Sequence, residues 1–207
     1  MLYKLGLFLG RSYYANQSKA YDEGDIEVYA YGFEMFWENI LALIFFQVVG
    51  IIIGLGFETL FFLLAFLSIR RNAGGYHAKT SGRCFLSSSL IYAVFLLLIF
   101  LIPYWSIGYV ALLCVGLSVA PIIKLAPFRD KGTPLGERLT KVFRKRVRVI
   151  FAVQAFVILG LSGVVLASSF IEFPIYDIVI SSTLSIALGQ FTAAFSLVLA
   201  KVTKQGI

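Results

Sequence analysis

The chain has 207 residues, of which 59% are apolar and 14% charged. Ordinary soluble domains have roughly 45–50% apolar and about 25% charged residues, so this composition excludes a typical soluble globular protein. The net charge of +7 comes from 18 Lys and Arg against 11 Asp and Glu. In so apolar a chain the expected counterion is anionic lipid at a membrane surface, and no nucleic-acid partner is predicted.

The N-terminal segment, residues 1–34, contains an amphipathic stretch. Leu2, Leu5 and Leu9 lie near one face of a helix, whereas Lys4 and Arg11 lie elsewhere on it. This pattern predicts a helix in the plane of the membrane interface.

Six apolar runs follow, at residues 35–54, 55–69, 85–102, 106–123, 149–170 and 178–200. A membrane-crossing helix needs about 20 apolar residues. The second run is the shortest, about 22 Å long as a helix, and contains Glu58. The sequence therefore predicts an all-α, polytopic integral membrane protein with about six transmembrane helices, forming a single membrane domain over residues 1–207.

The basic residues predict the orientation of these helices. With six spans, all 18 basic residues lie on one side: three before the first run, four after the second, nine after the fourth and two after the last. The positive-inside rule then puts both termini and both basic loops, residues 70–84 and 124–148, on the cytoplasmic side.

The first basic loop is the candidate site. The segment RRNAGGYHAKTSGRCFLSSS, residues 70–89, combines charge, glycine, the single histidine and one of two cysteines. In a continuous helix His77 and Cys84 would lie about 10.5 Å apart along the axis. Gly74, Gly75 and Gly82 are expected to break the helix or to adopt positive φ. A loop of this kind would allow the two side chains to meet.

Cys84 is expected at the N-terminus of the third span. The helix dipole, the free N–H groups and the neighbouring Arg83 all favour a thiolate there. His77 would accept the thiol proton, and the free N–H groups would stabilise an oxyanion. Asn72 and Gln47 are both candidates to orient the histidine. The alternative is an interfacial loop in which Cys84 and His77 face different ways.

Other protease chemistries fit the sequence less well. A zinc site of the His-Glu-x-x-His type needs two histidines, and the chain has one. The stretch Gly160-Leu161-Ser162-Gly163 resembles a rhomboid serine-protease motif, but no histidine follows residue 77. Close packing of a small-residue helix face is therefore predicted for that stretch.

Two sets of cations have alternative interpretations. Arg70 and Arg71 are either stop-transfer charges at the end of the second span or an arginine fork that binds substrate or a carboxylate. The loop at residues 124–148 carries nine cations against Asp130 and Glu137. It is expected to bind anionic lipid, an acidic peptide segment, or both.

These residues resemble the signature of the accessory gene regulator B (AgrB-type) membrane endopeptidases, which process a bacterial quorum-sensing propeptide. The matching residues are Arg70, Arg71, Gly74, Gly75, Tyr76, His77, Ala78 and Cys84. Ala126-Pro127 and Pro134-Leu135, followed by a basic run, resemble the second cytoplasmic loop of the family. The C-terminal third is similar in hydropathy alone.

The resemblance implies a cysteine endopeptidase of the bacterial cytoplasmic membrane, with Cys84 as nucleophile and His77 as base. The residues expected to support the site are Arg70, Arg71 and Gly75. The residues expected to bind substrate are Lys124, Arg129, Arg144, Lys145 and Arg146. No cofactor or metal is expected, and the resemblance further implies a homodimer.

The substrate implied by the resemblance is a propeptide with an amphipathic N-terminal helix, the signal core and a charged C-terminal tail. Its acyl-enzyme would be attacked by a cysteine or serine of the propeptide, giving a cyclic thiolactone or lactone. Two rival hypotheses are a small transporter and a lipid-holding scaffold. In the transporter Gln47, Glu58, Gln154 and Gln190 would line a path.

Overall fold

A computed structural model describes residues 2–15, 23–76, 81–128, 136–167 and 176–203. In these ranges the chain is helical with no β-strand, which confirms the all-α prediction. The helices are α1 (Leu2–Ala15), α2 (Glu23–Ile53), α3 (Gly56–Ala73), α4 (Ser81–Leu101), α5 (Ile107–Leu125), α6 (Glu137–Ala167) and α7 (Tyr176–Val202). A 3₁₀ turn, Tyr104–Ser106, precedes α5.

Helices α2 to α7 correspond to the six predicted spans. Among the described residues, five helices are long and apolar enough to cross a membrane, which confirms a polytopic membrane protein. The helix outside this group is α3, the shortest of the six with 18 residues. It also carries Glu58, Arg70 and Arg71, and these charges interrupt its apolar surface.

The two basic loops are shorter in the structure than the sequence predicts. Helix α6 begins at Glu137 and α5 ends at Leu125, so most of the predicted basic loop 124–148 is helix. The first basic loop is likewise shortened, because Ala73 ends α3 and Ser81 begins α4. An apolar run marks the lipid-soluble part of a helix, whereas the hydrogen-bonded helix continues into charged sequence with good helix propensity. The predicted break at Gly82 was wrong, since this residue lies in the first turn of α4.

Backbone contacts divide the chain into two compact units, Met1–Val48 and Val49–Ile207. In the first unit α1 packs against the beginning of α2. A Cβ atom on Gly6 would lie 2.9 Å from the Cα of Ala30, which is fully buried. The helix predicted from the N-terminal amphipathic pattern is therefore present, and its position in the membrane interface stays a prediction.

Helix α7 is the centre of the second unit. In its most apolar 18-residue stretch the buried share is 67%, against 33% or less in the corresponding stretches of the other four candidate spans. It packs against α3, α5 and α6. Gly189 permits the closest approach to α3, because a Cβ there would lie 2.5 Å from the Phe62 carbonyl oxygen. Small residues of this kind let membrane helices pack backbone to backbone.

A buried apolar cluster joins α3, α5, α6 and α7 at the end of this unit where α3 and α5 finish and α6 begins. We call this end the basic end, because it carries Arg70, Lys124 and Lys141. The cluster consists of Ile69, Ala73, Ile122, Ala126, Val147, Ala193, Ala194 and Leu197. It forms the support beneath the segment that follows α3.

Helix α4 lies at the periphery of the unit, and only 11% of its most apolar stretch is buried. Two contacts near its middle attach it to α3. The hydroxyls of Tyr92 and Thr59 are 2.9 Å apart, and the ring centroids of Phe95 and Phe62 are 4.2 Å apart. Beside these contacts an apolar cavity of about 490 Å³ is lined by residues of α4, α5 and α7, and α4 also contacts α7.

The stretch around Ser162 does not pack as predicted. Ser162 is buried, but none of the described residues has an atom within 4 Å of a Cβ built on Gly160 or on Gly163. The two glycines lie on an exposed side of α6, so the predicted close packing through them was wrong.

We expect Gly189→Ala to destabilise the packing of α3 on α7 by about 1–3 kcal/mol, because the added methyl group meets backbone atoms. Gly160→Ala is the matched control, since its methyl group enters open space and alanine favours the helix. Thermal unfolding of both variants in detergent would measure the difference. A melting temperature for Gly189→Ala at or above that of Gly160→Ala would contradict this assignment.

Candidate active site

Cys84 lies in the first turn of α4, as predicted. Its side chain is half-buried and it is a free cysteine, and its carbonyl oxygen accepts a hydrogen bond of 2.9 Å from the Ser87 hydroxyl. The first four N–H groups of a helix have no partner within that helix, and the dipole there favours negative charge. The start of α4 therefore offers N–H groups that can bind an anion.

Arg70 lies in the last turn of α3 and follows the predicted span 55–69. Burial lowers the pKa of its guanidinium from the ordinary value, and the charge of a Cys84 thiolate acts in the opposite direction. Arg70 is therefore a half-buried cation at the end of α3.

Three contacts fix the Arg70 guanidinium. Its Nη1 donates a 2.7 Å hydrogen bond to the Ser196 hydroxyl of α7, and its Nη2 donates to the carbonyl oxygen of Tyr76. The Phe66 ring lies below it, with the ring centroid 5.8 Å from Cζ. Arg70 therefore joins α3, α7 and the segment after α3 at one point.

The segment Gly74–Tyr76 leaves α3 in a conformation that needs glycine. Gly74 has φ 75° and Gly75 has φ 137°, so the prediction of positive φ at these two positions is confirmed. A Cβ on Gly74 would collide with the Phe128 carbonyl oxygen. One on Gly75 would collide with the Ser196 hydroxyl and the Arg70 guanidinium.

The backbone of this segment is hydrogen-bonded to two other parts of the unit. The Phe128 N–H donates to the Ala73 carbonyl at 2.7 Å, and Gly74 and Phe128 form an isolated parallel bridge. On the other side the Tyr76 N–H donates to the Ser196 carbonyl at 3.1 Å. The backbone entering position 77 is therefore held from both sides.

His77 itself lies outside the described residues, as does Arg129. Its contact with Cys84 stays a prediction. Of the two candidates to orient it, Asn72 donates its amide to the Ser68 carbonyl of its own helix at 2.9 Å. Gln47 belongs to the first unit. The third member of a triad is not identified by these positions.

The predicted supporting residues separate into two groups. Arg70 and Gly75 meet at the Ser196 hydroxyl, whereas Arg71 is exposed and takes no part in this network. Ser196 and Phe128 were missed by the sequence interpretation. Phe128 directly follows the Ala126-Pro127 pair noted there, but Ser196 is one of several serines in an apolar helix and carries no signal of its own.

The predicted substrate-binding cations also separate. A cavity of about 350 Å³ on α6, which we call the α6 groove, is lined by Lys141, Arg144, Lys145, Arg148, Val149 and Ala152. Arg144 and Lys145 line it as predicted candidates, and Lys141 and Arg148 are additional. Arg146 points elsewhere, with its Cζ 6.0 Å from the Phe143 ring centroid. Lys124 is exposed at the end of α5.

We expect Gly75→Ala to abolish activity at this site or reduce it by at least about a hundredfold, because displacing the reacting groups by about 1 Å costs that much. The methyl group both strains the positive φ and displaces the Arg70 guanidinium. Gly116→Ala is the control, since a Cβ there meets nothing within 4 Å. Near-normal activity of Gly75→Ala, with correct membrane insertion of both variants, would contradict the steric argument.

Comparison with known proteins gives the relationship of the whole chain. The sequence model of a family described as Accessory gene regulator B matches residues 11–199. Two curated relatives from Staphylococcus aureus strains MRSA252 and MW2, both described as Accessory gene regulator protein B, are 34% and 33% identical over 112 residues. That match covers 53% of this chain and 58% of each relative, little more than half of either. No solved structure matches the chain at a significant level. Because the family model covers most of the sequence, the chain belongs to the Accessory gene regulator B family.

Proposed function

We propose that the protein is a membrane-embedded cysteine endopeptidase that cleaves a quorum-sensing propeptide and cyclises the product. The observation that carries the proposal is the position of Cys84 in the first turn of α4, where the first N–H groups of the helix can bind a reacting oxygen. Arg70 binds the backbone that leads directly to His77. The proposed nucleophile, the expected base and the arginine that holds the intervening turn thus come from one stretch of chain.

In the proposed reaction the Cys84 thiolate attacks the scissile carbonyl carbon of the propeptide. A C–S bond forms, the negative charge passes to the carbonyl oxygen, and N–H groups at the start of α4 stabilise it. The amide C–N bond then breaks, and the leaving amine takes the proton that His77 accepted from the thiol. The products are a thioester on Cys84 and the free C-terminal fragment.

Cyclisation exchanges this thioester for another. The thiolate of a propeptide cysteine attacks the thioester carbonyl, forms the ring thiolactone and returns the sulfur of Cys84 as thiolate. One thioester bond breaks and one forms, so the exchange is nearly thermoneutral and reversible. Removal of either product would pull it forward. A serine in place of that cysteine would give a lactone by the same sequence of bonds.

The membrane supplies part of the orientation that this chemistry requires. A propeptide with an amphipathic helix lies in the interface plane, which is the depth proposed for the start of α4. Restricting both partners to one plane removes translational and rotational freedom before reaction. On the positive-inside rule this plane is the cytoplasmic face of the bacterial membrane, with both chain termini on the same side. We further propose a homodimer, as in the family resemblance.

The α6 groove is the proposed binding site for an acidic tail of the propeptide. Four basic side chains line it, and Val149 and Ala152 provide apolar surface at one end. Such a surface attracts both anionic lipid and an acidic peptide. A change in the KM for the propeptide when the charges of the groove are reversed would distinguish binding of the peptide from binding of lipid.

The transporter hypothesis receives less support. Gln190 is fully buried, and Gln154 donates to Ser68 of α3 at 2.7 Å. Glu58 accepts a 2.8 Å hydrogen bond from Ser181 and lines a separate cavity of about 420 Å³ with Tyr104 and Leu184. None of Gln47, Gln154 and Gln190 lines that cavity, so the three glutamines and Glu58 do not outline a shared path.

We expect Cys84→Ala to lose both cleavage and a covalent peptide adduct in proteoliposomes supplied with the propeptide encoded beside this gene. His77→Ala should reduce cleavage by about a hundredfold or more, because a general base contributes at least that factor. Cys114→Ala is the matched control, since Cys114 is buried within α5. Intact mass spectrometry would measure all three. Wild-type cleavage by Cys84→Ala would refute the assignment of the nucleophile.

Charge reversal in the α6 groove tests the binding of the tail. We expect the double variant Arg144→Glu/Lys145→Glu to raise KM for the propeptide about five- to tenfold, with kcat little changed, since exposed charge pairs each contribute less than about 1 kcal/mol. Arg138→Glu/Arg146→Glu makes the same change in net charge outside the groove lining. Equal KM values for the two double variants would show that overall charge, and not the groove, determines binding.

A further inference from the structure

A cavity of about 420 Å³ lies at the end of the second unit opposite the basic end, and we call it the Glu58 cavity. Its walls come from the first turns of α3, α5 and α7, from the end of α4 and from the turn that follows α4. The lining includes the carboxylate of Glu58, the hydroxyls of Tyr104 and Ser181 and the ring of Phe100, and its other residues are leucines, isoleucines and one proline. Ligand sites in proteins commonly have this size and this mainly apolar composition.

The carboxylate of Glu58 is held in this lining by contacts that favour its negative charge. The residue is half-buried, and its Oε1 accepts a 2.8 Å hydrogen bond from the Ser181 hydroxyl of α7. It lies in the first turn of α3, where the helix dipole is favourable for an anion. A hydroxyl and a helix end carry only partial positive charges, so they stabilise the carboxylate without neutralising it.

The chain segments that form the cavity supply no cation for this carboxylate. The sequence has no Lys or Arg at residues 20–69, 84–123 and 149–200, and all the lining residues fall within these stretches. The nearest cation on the same helix is Arg70, twelve residues from Glu58 and about 18 Å away along the axis. A counterion for Glu58 is therefore expected from outside these segments.

The chemistry of the lining favours an organic cation over a metal ion. Carboxylates bind ammonium groups through charge-assisted hydrogen bonds, and aromatic rings attract cations to their faces. Phe100 and Tyr104 supply two such rings beside the carboxylate of Glu58. A divalent metal ion needs several oxygen ligands, and within the described residues no group of three His, Cys, Asp or Glu is placed to hold one.

We propose that the Glu58 cavity binds an alkylammonium group. Glu58 pairs with the positive charge, Phe100 and Tyr104 contact it, and the leucine and isoleucine wall contacts the attached hydrocarbon. The site is separate from the proposed peptidase site, because Cys84 is fifteen residues from Ile99 on α4, about 22 Å along the axis. The ammonium group belongs either to a free amine or to the headgroup of a zwitterionic lipid, since both present the same charge.

The test measures the binding of hexylammonium chloride to the full-length protein in detergent, from the shift of the thermal unfolding midpoint with ligand concentration. Hexan-1-ol and sodium hexanoate are the matched probes, because they attach a neutral or a negative group to the same hydrocarbon chain. We expect a saturable upward shift with hexylammonium and an affinity at least about tenfold lower for the other two probes, since a hydrogen bond to a charged group contributes about 1.5–3 kcal/mol.

Glu58→Gln keeps the size of the side chain and an oxygen that can accept from Ser181 but removes the charge. It should raise the Kd for hexylammonium at least about tenfold, and Phe100→Leu should raise it about two- to fivefold through loss of the ring. Glu137→Gln is the matched control, because Glu137 is an exposed residue in the first turn of α6, outside the cavity. Its Kd should equal that of the parent.

Equal affinities of the parent and Glu58→Gln for hexylammonium would overturn the proposal. A lower melting temperature of Glu58→Gln with this unchanged affinity would restrict the role of Glu58 to stabilising the start of α3. Equal affinities of the parent for hexylammonium and hexan-1-ol would also overturn the proposal, and this comparison can be made even where Glu58→Gln does not fold. None of these measurements needs a propeptide, so their outcome is independent of the proposed peptidase function.

Reconstitution distinguishes a lipid headgroup from a free amine. The parent and Glu58→Gln are placed in vesicles of equal parts phosphatidylglycerol and phosphatidylethanolamine, and the lipid that each retains is identified by native mass spectrometry after extraction. Retention of phosphatidylethanolamine by the parent but not by Glu58→Gln would identify the lipid headgroup as the ligand. Binding of hexylammonium without this retention would identify a free amine. Absence of both would overturn the proposal.

Discussion

The Arg70 guanidinium connects two parts of the molecule that are far apart in the chain, the turn after α3 and the C-terminal third of α7. Where a helix ends within or beside a membrane, its backbone groups need partners from the protein itself. At Gly74–Tyr76 these partners come from Arg70, Ser196 and Phe128. The turn therefore has a defined conformation although it contains two glycines, and the site is assembled around it.

The two sides of the site have different mechanical support. The turn rests on the buried cluster at the basic end, where α3, α5, α6 and α7 converge. Cys84, the proposed nucleophile, comes from α4, which is largely exposed to the surroundings of the bundle. A rigid set of polar contacts beside a more accessible reacting atom is the arrangement that a preorganised site requires.

The sequence predicted the helices well because solubility in lipid requires long apolar runs, and α2 to α7 correspond to these runs. It predicted the turn at Gly74 and Gly75, where two adjacent glycines strongly disfavour a helix. It failed at Gly82, since one glycine is tolerated in a first turn. The start of α6 was also missed, because hydropathy does not report helix propensity in charged sequence.

The site was predictable where its residues are close in sequence. Arg70, Gly75 and Cys84 belong to one short segment, which the motif singles out. The contact of Ser196 with Arg70 depends on the packing of α7 against α3, a long-range contact that no local pattern encodes. Arg146 illustrates a related limit, because adjacent helical residues point about 100° apart. A basic run in sequence is thus divided between a groove and an aromatic contact.

Helix α4 contacts α3 near its middle, through Tyr92 and Phe95, so its first turn lies at a distance from this point of attachment. Cys84 is eight residues from Tyr92, about 12 Å along the helix axis. A tilt of about 5° around that point moves the sulfur by about 1 Å, a displacement large enough to change a reaction rate substantially. If Cys84 is the nucleophile, as proposed, a small tilt of this lightly packed helix changes the distance between its sulfur and the substrate carbon that it attacks.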